Sequence, residues 1–222
     1  MRAMRAILTA FFNKHKDTQR NVYWDADPKQ LQPLIESIKN NKLIVFTDCL
    51  NELDTDKVQY KKVETTKSPY FERWFQYYQY LEQHPELDQV FCVDATDVVM
   101  LNDPFPKMQP STIYVGDENE IVGCWWSLEK HPAPFLQEFM KENKDTLLNI
   151  GLLGGDRSDI MNLISDFIDI YNQHDDLGET DMAVFNYLLY TKYFPLLSHG
   201  EHVNTKFKKY ETDNNKPWFR HK

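Results

Sequence analysis

An α/β architecture, an α/β/α sandwich around a mostly parallel central sheet, is what the chain predicts, and three observations carry it. Largely apolar runs recur at residues 6–12 (AILTAFF), 43–47 (LIVFT) and, unbroken, 90–93 (VFCV), and short runs of that kind are strands buried on both faces. Amphipathic segments with helical spacing lie between and after them. The first two runs bracket one such segment, which makes the strand–helix–strand unit of a parallel sheet. A chain of 222 residues suffices for one sizeable core, so residues 1–222 are read as one domain.

The elements follow in order. Residues 6–12 are the first strand and the polar residues 13–21 a loop. Asp27 then Pro28 starts a helix, with Asp as N-cap and Pro at the first position. Leu31, Leu34, Ile35 and Ile38 are its buried stripe. Residues 43–47 are the second strand, ending at Asp48, and residues 58–63 a short strand within a charged segment. Ser68-Pro69 opens a helix so aromatic (PYFERWFQYYQYLEQH) that it must pack deep on the sheet. Arg73 within it has two readings, a surface ion pair or a reach to the diphosphate or sugar of a ligand. Residues 113–115 are a strand leading to Gly116-Asp117-Glu118. Residues 121–126 are expected to be another strand, ending in Trp125-Trp126. Residues 134–144 are a helix.

Residues 149–159, NIGLLGGDRSD, hold three of the seven glycines. That density means close backbone approach or several positive-φ positions. Asp156 and Asp159 open a helix with Ile160, Leu163, Ile164, Phe167, Ile168 and Tyr171 inward. Glu179-Thr180-Asp181 opens the next. Residues 194–197 are expected to be the last short strand, before a polar tail with His199, His202 and a terminal WFRHK containing His221.

Composition narrows the function classes. A net charge of -9 argues against a general nucleic-acid binder, which needs a basic face. Lys206, Lys208, Lys209 and Lys216 still form a local basic patch. Cys49, Cys92 and Cys124 sit far apart in mostly apolar settings and read as buried thiols of a reducing, cytoplasmic compartment, with no disulfide or zinc framework. No apolar run approaches membrane-spanning length, and no signal-type segment precedes the first strand. Aromatics are 14% of the residues; they fill cores first and supply stacking surfaces second.

The stretch that organises the rest is residues 89–105, QVFCVDATDVVMLNDPF. A buried strand runs into Asp94, and Asp97 follows three residues on. In a continuous strand these two would face opposite sides; a bend after Asp94 lets both reach one point. Open α/β sheets bind ligands at the carboxyl ends of their strands. Oxygen ligands there suit a hard divalent cation, and such ions clamp phosphates.

The order of motifs is a strand with D-x-x-D, then Y-V-G-D-E, then N-x-G-L-x-G-G, then a helix opening with Asp, then a late His. This order resembles the GT-A (Rossmann-like) class of sugar-nucleotide-dependent glycosyltransferases. Asp94-Ala95-Thr96-Asp97 is similar to the D-x-x-D of the glycosyltransferase domain of procollagen lysyl hydroxylases, and glycogenin-like enzymes use D-x-D and a late histidine similarly. The chain departs from the latter in carrying Lys216-Pro217-Trp218 before His221 instead of after it. The resemblance implies transfer of a sugar from a nucleoside-diphosphate donor, most commonly a UDP-sugar. It also implies Mn2+ (or Mg2+) held by Asp94, Asp97 and His221 on the donor diphosphate. His199 and His202 compete for the histidine's place. Imidazole beside two carboxylates favours manganese over calcium.

Further site residues follow from these readings. Thr9, Ala10 and Phe11 at the end of the first strand, with Asp48, are expected to line the base and ribose pocket, although Phe11 also suits the core. Asn149, Gly151, Gly154, Gly155 and Asp181 are expected to form the wall opposite the metal. Thr180 is read as the helix cap, which leaves Asp181 free to point into the cleft, and the resemblance implies that Asp181 bonds the donor sugar or takes the acceptor proton. Glu118 is the alternative base. The acceptor, whether saccharide, protein or modified base in DNA, stays open, as does a non-catalytic sugar-nucleotide-binding protein. A haloacid-type phosphatase is rejected because Thr96 stands where its second aspartate is needed. A nucleotidyltransferase is disfavoured because the loop after Phe12 has no glycine.

Overall fold

The computed structural model describes residues 3–206 and 215–221. Lys208 and Lys209 of the basic patch lie outside the described residues. The strands are β1 (Met4–Phe11), β2 (Lys42–Thr47), β3 (Val58–Lys62), β4 (Leu87–Val93), β5 (Val98–Met100), β6 (Ile113–Ile121), β7 (Thr146–Asp156), β8 (Leu197–His199) and β9 (Phe219–His221). The α-helices are α1 (Gln32–Ser37), α2 (Pro69–Gln83), α3 (Trp125–Lys130), α4 (Pro134–Glu142), α5 (Arg157–Gln173) and α6 (Met182–Thr191).

Seven strands form one sheet in the order β3-β2-β1-β4-β7-β6-β8. The pairs β3–β2, β2–β1, β1–β4 and β6–β8 are parallel, and β7 alone runs against both its neighbours. The expected α/β fold with a mostly parallel central sheet is what the chain adopts. Period-two alternation assigns the two faces. Ala6, Leu8, Ile44, Val90 and Cys92 face one way, into a core completed by α2, α4, α5 and α6. Ile7, Leu43, Val45, Phe91 and Val93 face the other, where α1 meets Trp218 and Phe219 from the end of the chain. That second face is covered by little helix. A separate two-stranded sheet of β5 and β9 does the rest.

Local signals act as read at several places. Asp27 accepts a hydrogen bond from the Lys29 N–H and Pro28 occupies the first turn of a 3-10 helix, Pro28–Leu31, that leads into α1. Pro69 opens α2, whose Trp74, Tyr77 and Leu81 are buried. Other expectations are corrected. Residues 121–126 are not a strand: β6 ends at Ile121, opposite Thr146. A Cβ on Gly123 would overlap the Met140 carbonyl oxygen, so the chain turns there and enters α3 at Trp125. Nor are residues 194–197 the last strand. Pro195, with no N–H for a ladder, sits in a 3-10 turn, Phe194–Leu196. β8 begins only at Leu197, and β9 follows it in the chain. Of the three thiols, all free, Cys92 is buried as expected while Cys49 and Cys124 are partly exposed. Among the described residues no helix is long and apolar enough to cross a membrane.

Candidate functional site

The carboxyl end of β4 is where chemistry-bearing side chains gather. Asp94 is the first residue past the strand, and its N–H still bonds the Gly151 carbonyl at 2.8 Å. Residues 95–97 then bend, and the bend is what brings the second carboxylate round. Asp97 enters β5, whose first residue, Val98, pairs with His221 of β9. That pairing delivers the histidine from the end of the chain. Its Nε2 lies 3.4 Å from Asp94 Oδ2 and 3.8 Å from Asp97 Oδ1. One ligand atom from each of the three lies within 4.8 Å of the others.

The strand opposite makes room for this cluster. All three glycines of residues 149–159 lie inside β7, and none of them has a positive φ; close approach is the reason for them. At Gly151 an added Cβ would collide with Asp94 Oδ2 and His221 Cε1. Gly154 and Gly155 serve a different purpose. Gly154 lies against the Phe91 ring, and Gly155 against the Thr112 carbonyl and Ile160. Both are packing positions of the sheet, which corrects their expected place on the site wall.

Arg73 reaches the cluster from α2 and is an ion-pair residue of the interior, not of the surface. Its Nη1 donates to Asp94 Oδ1, and its Nε and Nη2 donate to Asp181 Oδ2 at 3.0 and 2.8 Å. Trp74 Nε1 donates to the same Asp181 oxygen. Asp94 therefore divides its two oxygens, one toward Arg73 and one toward His221 and Asp97. Burial opposes the charge on Arg73, but Asp181 and Asp94 overcome it and keep the guanidinium protonated. Burial would raise the Asp94 carboxyl as well; Arg73 and His221 outweigh it and hold Asp94 well below the ordinary carboxylate range. At Asp97 burial and the neighbouring Asp94 charge outweigh His221, 3.8 Å away, and push the carboxyl up. Two close carboxylates and an imidazole form a donor set that suits a divalent cation.

Asp181 lines the cleft as expected, yet the reason given for it is corrected. Thr180 Oγ1 pairs with His131 Nε2 at 3.2 Å instead of capping α6. The side chain of Asp181, at the N-cap position, makes no capping bond, because it is taken up by Arg73 and Trp74. Asn149 and Glu118 are joined, the Asn149 Nδ2 donating to Glu118 Oε1 at 2.9 Å, and Asn149 Oδ1 accepts from the Gly151 N–H.

These residues border one cleft of about 420 Å3. Ala10 and Phe11 line it together with Phe12, Trp125 and Trp126. Thr9 and Asp48 do not, which corrects the expected base and ribose pocket. Thr9 is fully buried and bonds the Val93 carbonyl at 2.8 Å. Asp48 is 1% exposed and accepts from the Asn13 and Lys14 N–H groups and from Thr65 Oγ1. It braces the loop after β1. Of the competing histidines, His199 bonds Asp117 at 2.8 Å and His202 Ser198 at 3.1 Å, away from the cluster. Sequence reading missed Gln19, Arg20, Trp24 and Tyr70, which also line the cleft. Gln19, Arg20 and Trp24 lie in residues 13–24, which have neither apolar period nor motif, and Tyr70 is one aromatic among the many of α2. No family model matches the sequence, and no curated protein matches it.

Proposed function

We propose that the protein is a metal-dependent glycosyltransferase of the GT-A type, acting on a nucleoside-diphosphate sugar, with UDP-sugars the first donors to try. The observation that carries this reading is the meeting of Asp94, Asp97 and His221 over Gly151 at the carboxyl end of a central strand. The mostly parallel sheet supports it, since ligands of such sheets bind at that edge.

Asp94, Asp97 and His221 would hold Mn2+ or Mg2+, which supplies Lewis-acid stabilisation to the charge on a departing diphosphate. The remaining steps belong to the chain's own groups. Arg73 fixes Asp94 through Oδ1 and leaves Oδ2 turned to the cluster. Asn149 orients the Glu118 carboxylate at the cleft wall, where it is placed to accept a proton from an acceptor hydroxyl. Asp181 is placed to hydrogen-bond a donor-sugar hydroxyl. Trp125, exposed at the cleft rim, and Trp126 beside it offer faces on which a sugar ring stacks.

A screen for metal-dependent hydrolysis of UDP- and GDP-sugars tests the proposal. Release of nucleoside diphosphate that chelation stops, and that Asp97→Asn abolishes, is the expected result. A second reading is a non-catalytic sugar-nucleotide-binding protein. It is favoured by the three hydrogen bonds that Asp181 Oδ2 already accepts. Tight donor binding without hydrolysis or transfer selects it, and neither binding nor turnover with any donor rejects both.

A further inference from the structure

The cleft is short of positive charge for the ligand proposed. Asp17, Asp94, Asp97, Glu118, Glu120 and Asp181 all line it, and no lysine does among the described residues. A divalent cation balances no more than Asp94 and Asp97. Arg73 is committed to Asp94 and Asp181. A diphosphate with two or more negative charges needs a further cation near the metal cluster, or it enters an acidic site.

One guanidinium is built for that. Arg20 stands on the loop after β1, on the lip of the cleft. Its Nη1 donates to Asp17 Oδ2 at 3.0 Å and to Tyr70 Oη at 3.2 Å. Its Cζ lies 5.2 Å from the centre of the Trp24 ring, and Trp24 Nε1 donates to the same Asp17 oxygen. Asp17 is 2% exposed and also accepts the Arg20 backbone N–H at 2.8 Å. A buried carboxylate, a phenol and an indole thus orient one face and one nitrogen of the guanidinium. Its Nε and Nη2 have no partner among the described residues, and its side chain is half exposed. Arg20 lines the same cleft as Asp94, Asp97 and His221.

We infer that Arg20 is the phosphate-binding cation of this cleft, meeting the diphosphate of the donor through its open N–H groups while Asp17, Trp24 and Tyr70 hold it in place. Guanidinium suits the task because it offers paired donors in a fixed plane, and a planar fork already oriented loses little entropy on binding. The inference rests on the reading of the cleft as a nucleoside-diphosphate site.

Inorganic pyrophosphate with saturating magnesium is the probe, because it tests the phosphate site without knowledge of the base or sugar. Calorimetric titration of the intact chain should show Arg20→Gln weakening pyrophosphate by about tenfold or more, the scale of one lost charged hydrogen bond. Arg20→Lys should recover part of the affinity, since ammonium keeps the charge and loses the fork. Affinity for manganese alone should stay at the wild-type value, the thermal midpoint should fall because the buried Asp17 loses its cation, and the salt dependence of pyrophosphate binding should weaken. Wild-type pyrophosphate affinity in Arg20→Gln overturns the assignment of Arg20 and leaves the diphosphate reading of the cleft standing. Loss of manganese binding in the same variant overturns it too, because Arg20 would then be a structural clamp of the site. A wild-type protein that binds magnesium pyrophosphate nowhere removes both readings together.

Discussion

Asp48 and Asp94 occupy equivalent places in the chain, each one residue past a buried parallel strand, and they meet opposite fates. Asp48 after β2 is sealed by two backbone N–H groups and a threonine hydroxyl, all belonging to loops it ties down. Asp94 after β4 faces side chains only, a guanidinium on one oxygen and an imidazole near the other. A carboxylate saturated by backbone donors is finished as a structural piece. One whose partners are charged side chains stays able to exchange them, and that is the property a metal or ligand site needs. Four experiments break or sharpen this contrast.

The largest effect belongs to the cation that serves the reactive side. Arg73→Met leaves the Asp94 and Asp181 carboxylates facing each other without their shared partner, and should cost about 3–5 kcal/mol of stability in urea denaturation. A loss below about 1 kcal/mol would mean that solvent, not Arg73, satisfies these groups. Next is the brace itself. Asp48→Ala strands the Asn13 and Lys14 N–H groups in a buried setting, for a cost of about 2–3 kcal/mol in the same measurement. Its affinity for manganese should equal the wild type's, and the contrast fails if that affinity drops as it does in Asp94→Asn.

Asp94→Asn is the third test. Outer partners of metal ligands are alone worth about 10–100-fold in affinity. Loss of a ligand carboxylate should therefore weaken manganese at least that much by isothermal titration, while stability falls less than in Asp48→Ala. The smallest effect concerns a third aspartate, Asp117 of β6, whose partner titrates. Its hydrogen bond to His199 raises the histidine above its ordinary value. A raised folded-state value means that the stabilisation is complete below the unfolded pKa of about 6.5 and fades as pH climbs through the folded value. The pair is partly exposed, so the effect is under about 1 kcal/mol. His199→Gln should lower the unfolding midpoint at pH 5.5 and leave it unchanged at pH 9; equal shifts at both would assign the effect to packing.

Local rules settled a good share of the molecule. Apolar runs without alternation mark strands covered on both faces, because burial on both sides removes any reason for polar residues. β1, β2 and β4 lie where those runs lie. Asp27-Pro28 and Ser68-Pro69 begin helices because proline fits only a first turn. The D-x-x-D spacing required a bend before its carboxylates could converge, and the bend exists. Each of these depends on neighbours a few residues away.

What only the tertiary structure decided depends on partners far along the chain. Asp48 and Asn13 are 35 residues apart and Arg73 and Asp181 are 108 apart. No periodicity says which of two strand-end aspartates will receive backbone donors and which a guanidinium. The glycines at 151, 154 and 155 look alike in sequence. One clears space for Asp94 and His221, and the other two make room for Phe91, Thr112 and Ile160. The reversed direction of β7, the pairing of β5 with β9 that carries His221 to Asp97, and the anchoring of Arg20 on Asp17 and Trp24 are decided the same way. Burial is a property of a residue and its near neighbours, so it is written locally. Convergence is a property of the assembled sheet, and it comes into being only when distant strands are laid side by side.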